Sequence, residues 1–339
     1  MVSLSTPLSS PASHEMRWLQ VDEPSAVAAS RSAAMAMASQ IEFPAIRADR
    51  LALAVTEAAS NLHKHAREGA LLVRITRDAG SPCLELVTVD AGPGLPDVGA
   101  ALRDGHSTAG TLGIGLGSIS RQADFCDLYS SAGRGTALVA RFWASAGPRP
   151  EIRCAGLTRP IIGETECGDA YGADGTGGVL TAVLCDGLGH GPLAAAAARE
   201  ALAAVFDGPS GEPAALLERA HRRMARTRGG ALAIAQTDGS LVRFAGLGNV
   251  AAWIVSPDSR SGMASIPGIA GHQARRFRQF EYSLPPDGIV IMHSDGLSSR
   301  WDISALPGLA GRDPLITAAA LLAEAGRHRD DAGILVVKP

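Results

Sequence analysis

Asp186, Asp295 and the adjacent Asp330 and Asp331 each border an apolar run of strand-like composition, and Asp169 follows Cys167-Gly168. Carboxylates brought to the ends of neighbouring strands repel one another and are costly to desolvate unless cations hold them. Oxygen-only donors of this kind suit Mg2+ or Mn2+ rather than Zn2+. Two such ions about 4 Å apart can activate water for in-line attack on a phosphoryl group. An ordinary hairpin turn is the alternative for any Asp-Gly pair, and it is the expectation at Asp238-Gly239 and Asp287-Gly288. At Asp186-Gly187 and Asp295-Gly296 the flanking runs allow both.

A second constellation lies in the first half of the chain. Glu57 and Asn61 are four residues apart in a helical pattern and therefore project from one helix face. A carboxylate there can act as a base, and the amide oxygen beside it is a hard ligand suited to Mg2+. Lys64 on the adjoining face can offer positive charge to a phosphate. Asp90-Ala91-Gly92-Pro93-Gly94 follows a buried-type strand, where a carboxylate can accept from an exocyclic amine such as that of adenine. The glycines let backbone approach a flat base closely, although a plain turn gives the same pentapeptide. Gly110-Thr111-Leu112-Gly113-Ile114-Gly115-Leu116-Gly117 then opens a helix, and such loops bind phosphate through backbone N–H groups. No Lys-Ser/Thr follows as in a Walker loop, and the stretch lies too far into the module for a Rossmann fingerprint.

In chain order these parts, closed by Gly133-Arg134-Gly135-Thr136, resemble the GHKL ATP-binding family over about residues 14–143. Within that family the likeness is to the anti-sigma-factor and stressosome switch serine kinases of RsbT type. The resemblance implies that Asn61 holds Mg2+ and that Asp90 contacts adenine, with Thr136 nearby. It places Gly92, Gly94, Gly113, Gly115, Leu116 and Gly117 in the phosphate and lid region, and Glu57 as the base that activates a substrate serine. No helix bearing a phosphoacceptor histidine stands ahead of the module, and His63 and His65 lie inside the nucleotide helix, so a serine on a partner is the expected acceptor.

Asp186-Gly187-Leu188-Gly189-His190-Gly191, Gly246-Leu247-Gly248-Asn249-Val250, Ser294-Asp295-Gly296-Leu297 and Arg329-Asp330-Asp331 resemble the SpoIIE-type branch of the PPM metal-dependent phosphatases, including the small RsbX-like ones, over about residues 151–338. That resemblance implies that Asp186 bridges two metals, Asp169 and the Gly187 carbonyl complete one site, and Asp295 and Asp330 complete the other. Asp331 stands where many relatives carry Asn, which leaves the choice between Asp330 and Asp331 open. His190 either contacts phosphate or caps the glycine-rich turn, and no arginine has a spacing that assigns it to the substrate phosphate.

The elements that must carry these residues follow from periodicity. Residues 1–13 are Ser/Pro-rich and expected to be disordered. Helices are expected over about 24–39 and 46–67, strands over 71–77 and 84–89, a helix from the Gly-rich loop to about 125, and strands over 126–130 and 136–143. Residues 144–150 read as a linker between a domain at 14–143 and another at 151–339. Beyond the linker, strands at 179–185, 231–237, 250–255, 289–294 and 334–337 alternate with helices at 192–206, 212–226 and 314–325. The fold class is α/β (α+β): by resemblance, a GHKL α/β sandwich followed by a PPM-type β-sandwich flanked by helices.

Composition narrows the remaining classes. The 339 residues are 46% hydrophobic but only 4% aromatic, which suits cores of small aliphatic side chains. A net charge of −3 with interspersed signs argues against a nucleic-acid partner, and the basic run at 221–228 reads as a solvated helix end. Five scattered cysteines lack ligand spacing and fit reduced thiols, and no apolar run is long enough for a membrane helix, so a cytoplasmic location is expected. The expected cofactors are ATP, Mg2+ and Mn2+, and the expected partners are STAS-domain phosphoproteins of a partner-switching pathway, with a sigma-factor route or a signalling enzyme downstream. The alternative is an ATP-binding module that sequesters a partner without phosphorylating it and regulates the attached phosphatase.

Overall fold

The computed structural model describes residues 8–78, 81–102, 115–145, 147, 151–257, 259–327 and 329–339. They divide into two compact units, one drawn from residues 11–150 and 319–324, the other from residues 8–10, 151–318 and 325–339. β1 (Leu8–Ser9) pairs antiparallel with Gly172 and Ala173 of the second unit, so part of the segment expected to be disordered is an edge strand.

In the first unit, β2 (Met16–Gln20) precedes α1 (Pro24–Gln40), which begins at a proline whose missing N–H costs nothing in a first turn. α2 (Ala45–His65) buries Leu51, Val55, Ala58 and Leu62 along one face, and His63, Lys64 and His65 occupy its last turn, where positive charge suits the helix dipole. β3 (Ala70–Asp78), β4 (Ser81–Asp90), α3 (Val98–Leu102), α4 (Gly115–Gln122), β5 (Phe125–Ser130) and β6 (Thr136–Trp143) follow. The sheet order is β2-β3-β4-β6-β5, antiparallel throughout. Leu71, Val73, Leu84, Leu86, Leu138 and Phe142 alternate onto one face and close a core with α1 and α2.

Alternation puts Arg74, Glu85 and Arg141 on the opposite face, directly across from one another on β3, β4 and β6. Arg74 Nε donates to Glu85 Oε2 at 2.7 Å and Arg141 Nε to Glu85 Oε1 at 2.7 Å, all three being buried. The two guanidiniums outweigh the cost of burial and hold the Glu85 carboxyl below its ordinary range.

The second unit runs β7 (Cys154–Arg159), β8 (Asp169–Thr176), β9 (Val179–Gly187), α5 (Pro192–Phe206), α6 (Pro213–Arg223), β10 (Gly230–Thr237), β11 (Leu241–Leu247), β12 (Ala251–Ser256), β13 (Ser259–Met263), β14 (Ser265–Ile266), β15 (Phe280–Ser283), β16 (Ile289–His293), the start of α7 (Pro314–Ala325, of which 319–324 group with the first unit) and β17 (Ala332–Val337). Among the described residues these strands form two sheets. One has the order β1-β8-β9-β10-β11-β14 with β15 also on β11, the other β13-β12-β16-β17-β7. Tyr171, Leu184, Ala233 and Phe244 from the first sheet meet Ile254, Val290, Met292 and Leu335 from the second in a shared core. The outer face of the first sheet, with Val183, Leu232 and Ile234, is covered by the alanine row of α5 and by Leu216 and Leu217 of α6. The fold class is mixed α/β, with a helix-backed sheet in one unit and a sheet-on-sheet sandwich flanked by helices in the other.

Of the two expected hairpin turns, 238–239 joins the paired strands β10 and β11, whereas 287–288 is a turn between β15 and β16, which lie in different sheets, so it closes no hairpin. Asp238 Oδ1 accepts from the N–H groups of Ser240 and Leu241, and Gly288 N donates to Pro285 O.

Candidate active sites

The nucleotide-type constellation gathers at one end of the first unit's sheet. Glu57 and Asn61 sit one turn apart on α2, half-buried, while Lys64 is exposed. Among the described residues Asn61 Nδ2 is buried without a hydrogen-bond partner, an inward polar group open to one. A side chain begun at Gly115, the first residue of α4, would place its Cβ 3.1 Å from Asn61 Nδ2, so glycine keeps that space open. Leu116 is half-buried, Gly117 is buried, and Gly113 lies outside the described residues.

Asp90 ends β4 opposite Thr136, the first residue of β6. Its Oδ1 accepts from Gly92 N at 2.7 Å, and burial raises its carboxyl above the ordinary range. Gly94 and Gly135 hold positive φ of 74° and 84°, and a Cβ at Gly135 would fall 1.8 Å from Asp90 O. Thr136 Oγ1 shares a 3.0 Å contact with Ser130 Oγ, which also accepts from Leu95 N at 2.7 Å. Ser130 thus ties the Asp90 turn to the 133–136 turn, a role invisible in the sequence because it depends on the β5–β6 pairing.

The acidic cluster is built by both sheets of the second unit at one end. Asp169 opens β8 directly across from Asp186 on β9, while Asp295 follows β16 and Asp330 precedes β17. Gly187, next to Asp186, is paired with Gly230 of β10. Asp169 is buried and its Oδ2 has no partner among the described residues; burial first, then Asp186, pushes its carboxyl well above the ordinary range. Burial, then Asp295 and Asp330, pushes Asp186 up to about 7, opposed by the Asp295 N–H that bonds it. Asp295 is also raised, by burial and by Asp330, with Arg327 and Asn249 acting in the opposite sense.

Asp330 and Asp331 separate by their partners. Asp331 is buried, with Oδ1 accepting from Ile161 N and Oδ2 from Gly168 N, both at 2.7 Å, which makes it a tie between loops. Asp330 is exposed and accepts only from the Asp331 N–H among the bonds described. His190 pairs through Nδ1 with Glu164 Oε1 at 2.9 Å. Two supporting residues were named in the sequence motifs without a role. Asn249 Nδ2 donates to Asp295 Oδ2 at 2.5 Å, and Ser294 Oγ accepts from Gly333 N at 2.9 Å and bonds Asp169.

Among the described residues no three His, Cys, Asp or Glu side chains stand as a ready-made metal-binding group. The arrangement is instead open: carboxylates facing one another, one buried oxygen unpartnered, no nitrogen or sulfur donor among them. Hard divalent cations that retain water suit such a donor set, so the residues present fit oxygen-liganded metal.

Fold and sites define a chain that joins a GHKL-type nucleotide-binding unit to a PPM-type sandwich. Residues 21–142 match the family described as histidine kinase-like ATPase domain, and residues 176–338 match stage II sporulation protein E, SpoIIE. The serine/threonine-protein kinase RsbT of Bacillus subtilis (strain 168) is 33% identical over 117 residues, which are 34% of this chain and 88% of that protein. The chain therefore belongs to the RsbT-type kinase family through its first part, fused to a SpoIIE-type PPM domain. A solved structure described under the bacterial stressosome, as a modular system adapted to control secondary messenger signalling, is 28% identical and covers 56% of this chain and 100% of that one, with a TM-score of 0.50. RsbX in complex with magnesium is 20% identical over 56% of this chain and 96% of that one, with a TM-score of 0.49. The chain is an enzyme of the protein serine/threonine phosphatase class carrying a serine-kinase-like domain. Among the described residues no helix is long and apolar enough to cross a membrane.

Proposed function

We propose that this chain is a bifunctional partner-switching regulator whose second unit removes phosphate from phosphoserine or phosphothreonine on STAS-domain proteins, and whose first unit uses ATP to phosphorylate a serine on such a partner. The observation that carries the phosphatase reading is the meeting of Asp169 and Asp186 from one sheet with Asp295 and Asp330 from the other, where burial and mutual repulsion raise Asp169, Asp186 and Asp295 and Arg327 offsets only part of this at Asp295. Asp186 is the carboxylate in the field of all the others, which suits it to bridge, and the Gly187 carbonyl and Asp169 would complete one metal position. Asp295, oriented by Asn249, and Asp330 would complete the other, while Asp331 holds the loops. Bound Mn2+ or Mg2+ supplies positive charge for a phosphoryl group and lowers the cost of ionising water.

In the first unit Asn61 would hold Mg2+ and Asp90 the adenine, with Glu57 as base towards the acceptor serine and Lys64 and the 115–117 backbone near the phosphates. The unpartnered Asn61 Nδ2 supports a polar ligand there. Opposed activities in one chain avoid a futile cycle if ATP and partner binding favour one unit at a time.

The test uses purified full chain, Mn2+ or Mg2+, and a phosphorylated STAS-domain protein. Metal-dependent phosphate release is expected in wild type and lost in Asp186→Ala and Asp295→Ala; no release with either metal would overturn the phosphatase reading. Glu57→Ala is expected to abolish transfer from ATP while keeping ATP affinity. ATP binding without transfer in wild type, with the partner effect kept in Glu57→Ala, would point to a binding module instead of a kinase.

A further inference from the structure

We propose that Arg228 is the residue that recognises the substrate's phosphoryl group at the acidic cluster, an inference that rests on the phosphatase reading of that site. A phosphoryl group held at a carboxylate-rich metal site gains charge complementarity and a fixed orientation from a cationic fork at the rim. The sequence assigns Arg228 to the solvated end of a basic helix, but α6 stops at Arg223 and a short 3-10 turn ends at Arg226. Arg228 lies beyond, on the approach to β10, where the backbone joins the 186–191 turn: Leu188 N donates to Gly229 O at 2.9 Å, and Gly230 pairs with Gly187.

The position is fixed on both sides. Gly229 N donates to Thr227 Oγ1 at 3.0 Å, and His272 Nε2 meets Thr227 O at 3.0 Å. Gly229 holds φ of 75°, with room for no side chain, since a Cβ there would fall 2.4 Å from Ala270 O. From this base the guanidinium reaches over the metal-ligand turn. A side chain begun at Gly189 would place its Cβ 3.0 Å from Arg228 Nη1, so glycine at 189 leaves the path clear.

Neighbouring arginines on α5 and α6 are engaged elsewhere. Arg199 faces Glu166, Arg223 bonds Glu200, and Arg219 donates to the carbonyls of Ala204, Val205 and Pro209. Arg327 faces Asp295 itself. Arg228 makes no hydrogen bond or ion pair among the described residues, and its Nη1 lies against Gly189, three residues along the chain from Asp186. An Arg fork matched to two oxygens of one phosphate supplies both charge and geometry.

The direct test is calorimetric binding of inorganic phosphate to the full chain in saturating Mn2+. Arg228→Ala and Arg228→Gln are expected to weaken phosphate by about 10- to 100-fold, the range for charge-assisted hydrogen bonds. Arg228→Lys is expected to recover part of the loss, and Arg222→Ala, which removes an exposed charge on α6, to change nothing. Mn2+ affinity is expected to be the same in all five proteins, and the KM for p-nitrophenyl phosphate to rise in parallel with the phosphate constant. Wild-type phosphate affinity in both Arg228→Ala and Arg228→Gln would overturn the proposal, as would failure of wild type to bind phosphate at all. Loss of phosphate binding on substitution supports Arg228 even if wild type hydrolyses no phosphoester, a result that would sink the phosphatase reading alone.

Discussion

Each unit of this chain buries acid, and the two do so in opposite ways. In the first, Glu85 lies between Arg74 and Arg141, with both carboxylate oxygens bonded at 2.7 Å and the carboxyl held below its usual range. In the second, Asp169 and Asp186 face each other across β8 and β9, have further carboxylates for neighbours, and are pushed up, Asp186 to about 7. A buried acid answered by protein cations is complete as folded, whereas one answered by more acids is complete only with something bound. Register alone produces the first, since Arg74, Glu85 and Arg141 are successive cross-strand partners. The second requires the ends of two sheets to meet.

The contrast can be broken from either side. Glu85→Ala removes the buried carboxylate that Arg74 and Arg141 share and is expected to destabilise the first unit by about 3–5 kcal/mol. Faster hydrogen exchange at β4 and β6 amides in the full chain would show it, and unchanged protection would contradict the assignment. Removing acid from the other site should act in the reverse sense: Asp186→Asn is expected to lose metal binding yet raise the melting temperature of the metal-free second unit, because repulsion is relieved.

A smaller effect is expected from the residue that orients a ligand. Asn249→Ala leaves all four acids in place but frees Asp295, and metal affinity should fall about 10- to 100-fold, read by Mn2+ titration. Unaltered affinity would make the 2.5 Å bond incidental.

Acidity sharpens the same comparison. A carboxyl raised on folding binds protons more tightly in the folded state, so the metal-free second unit should lose stability as pH rises from about 4 towards 7, and saturating Mn2+ should remove that loss. Glu85, lowered on folding, contributes stability that is present above its unfolded value and lost as pH falls below about 4. Thermal unfolding should therefore show the first unit losing stability as pH falls below about 4 and the metal-free second unit losing it as pH rises from about 4 towards 7, the second loss alone being removed by metal.

Much of the framework was legible in the residues themselves. Pro192 after Gly191 and the alanine row to Phe206 mark α5, and the alternation from Thr136 to Trp143 marks β6. β8 escaped because Asp169-Ala170-Tyr171-Gly172-Ala173 lacks β-branched residues. Its glycine is set by tertiary packing, since a Cβ at Gly172 would meet the Phe206 ring at 2.6 Å. β7, with Cys154-Ala155-Gly156, was hidden for the same reason. The roles of Asp331, Asn249 and Arg228 depend on partners 46 to 170 residues away or on a backbone pairing, which no local pattern carries. Asp331 and Asp330 look alike in sequence, and only the N–H groups of Ile161 and Gly168 tell them apart.

The most direct test of the contrast is calorimetric titration of Mn2+ into the metal-free full chain and its Asp186→Ala variant. Saturable binding in wild type, abolished in the variant without loss of folded structure, is the expected result. Equal binding by both, or none by wild type, would contradict the reading of the acidic cluster as a site completed by a divalent metal.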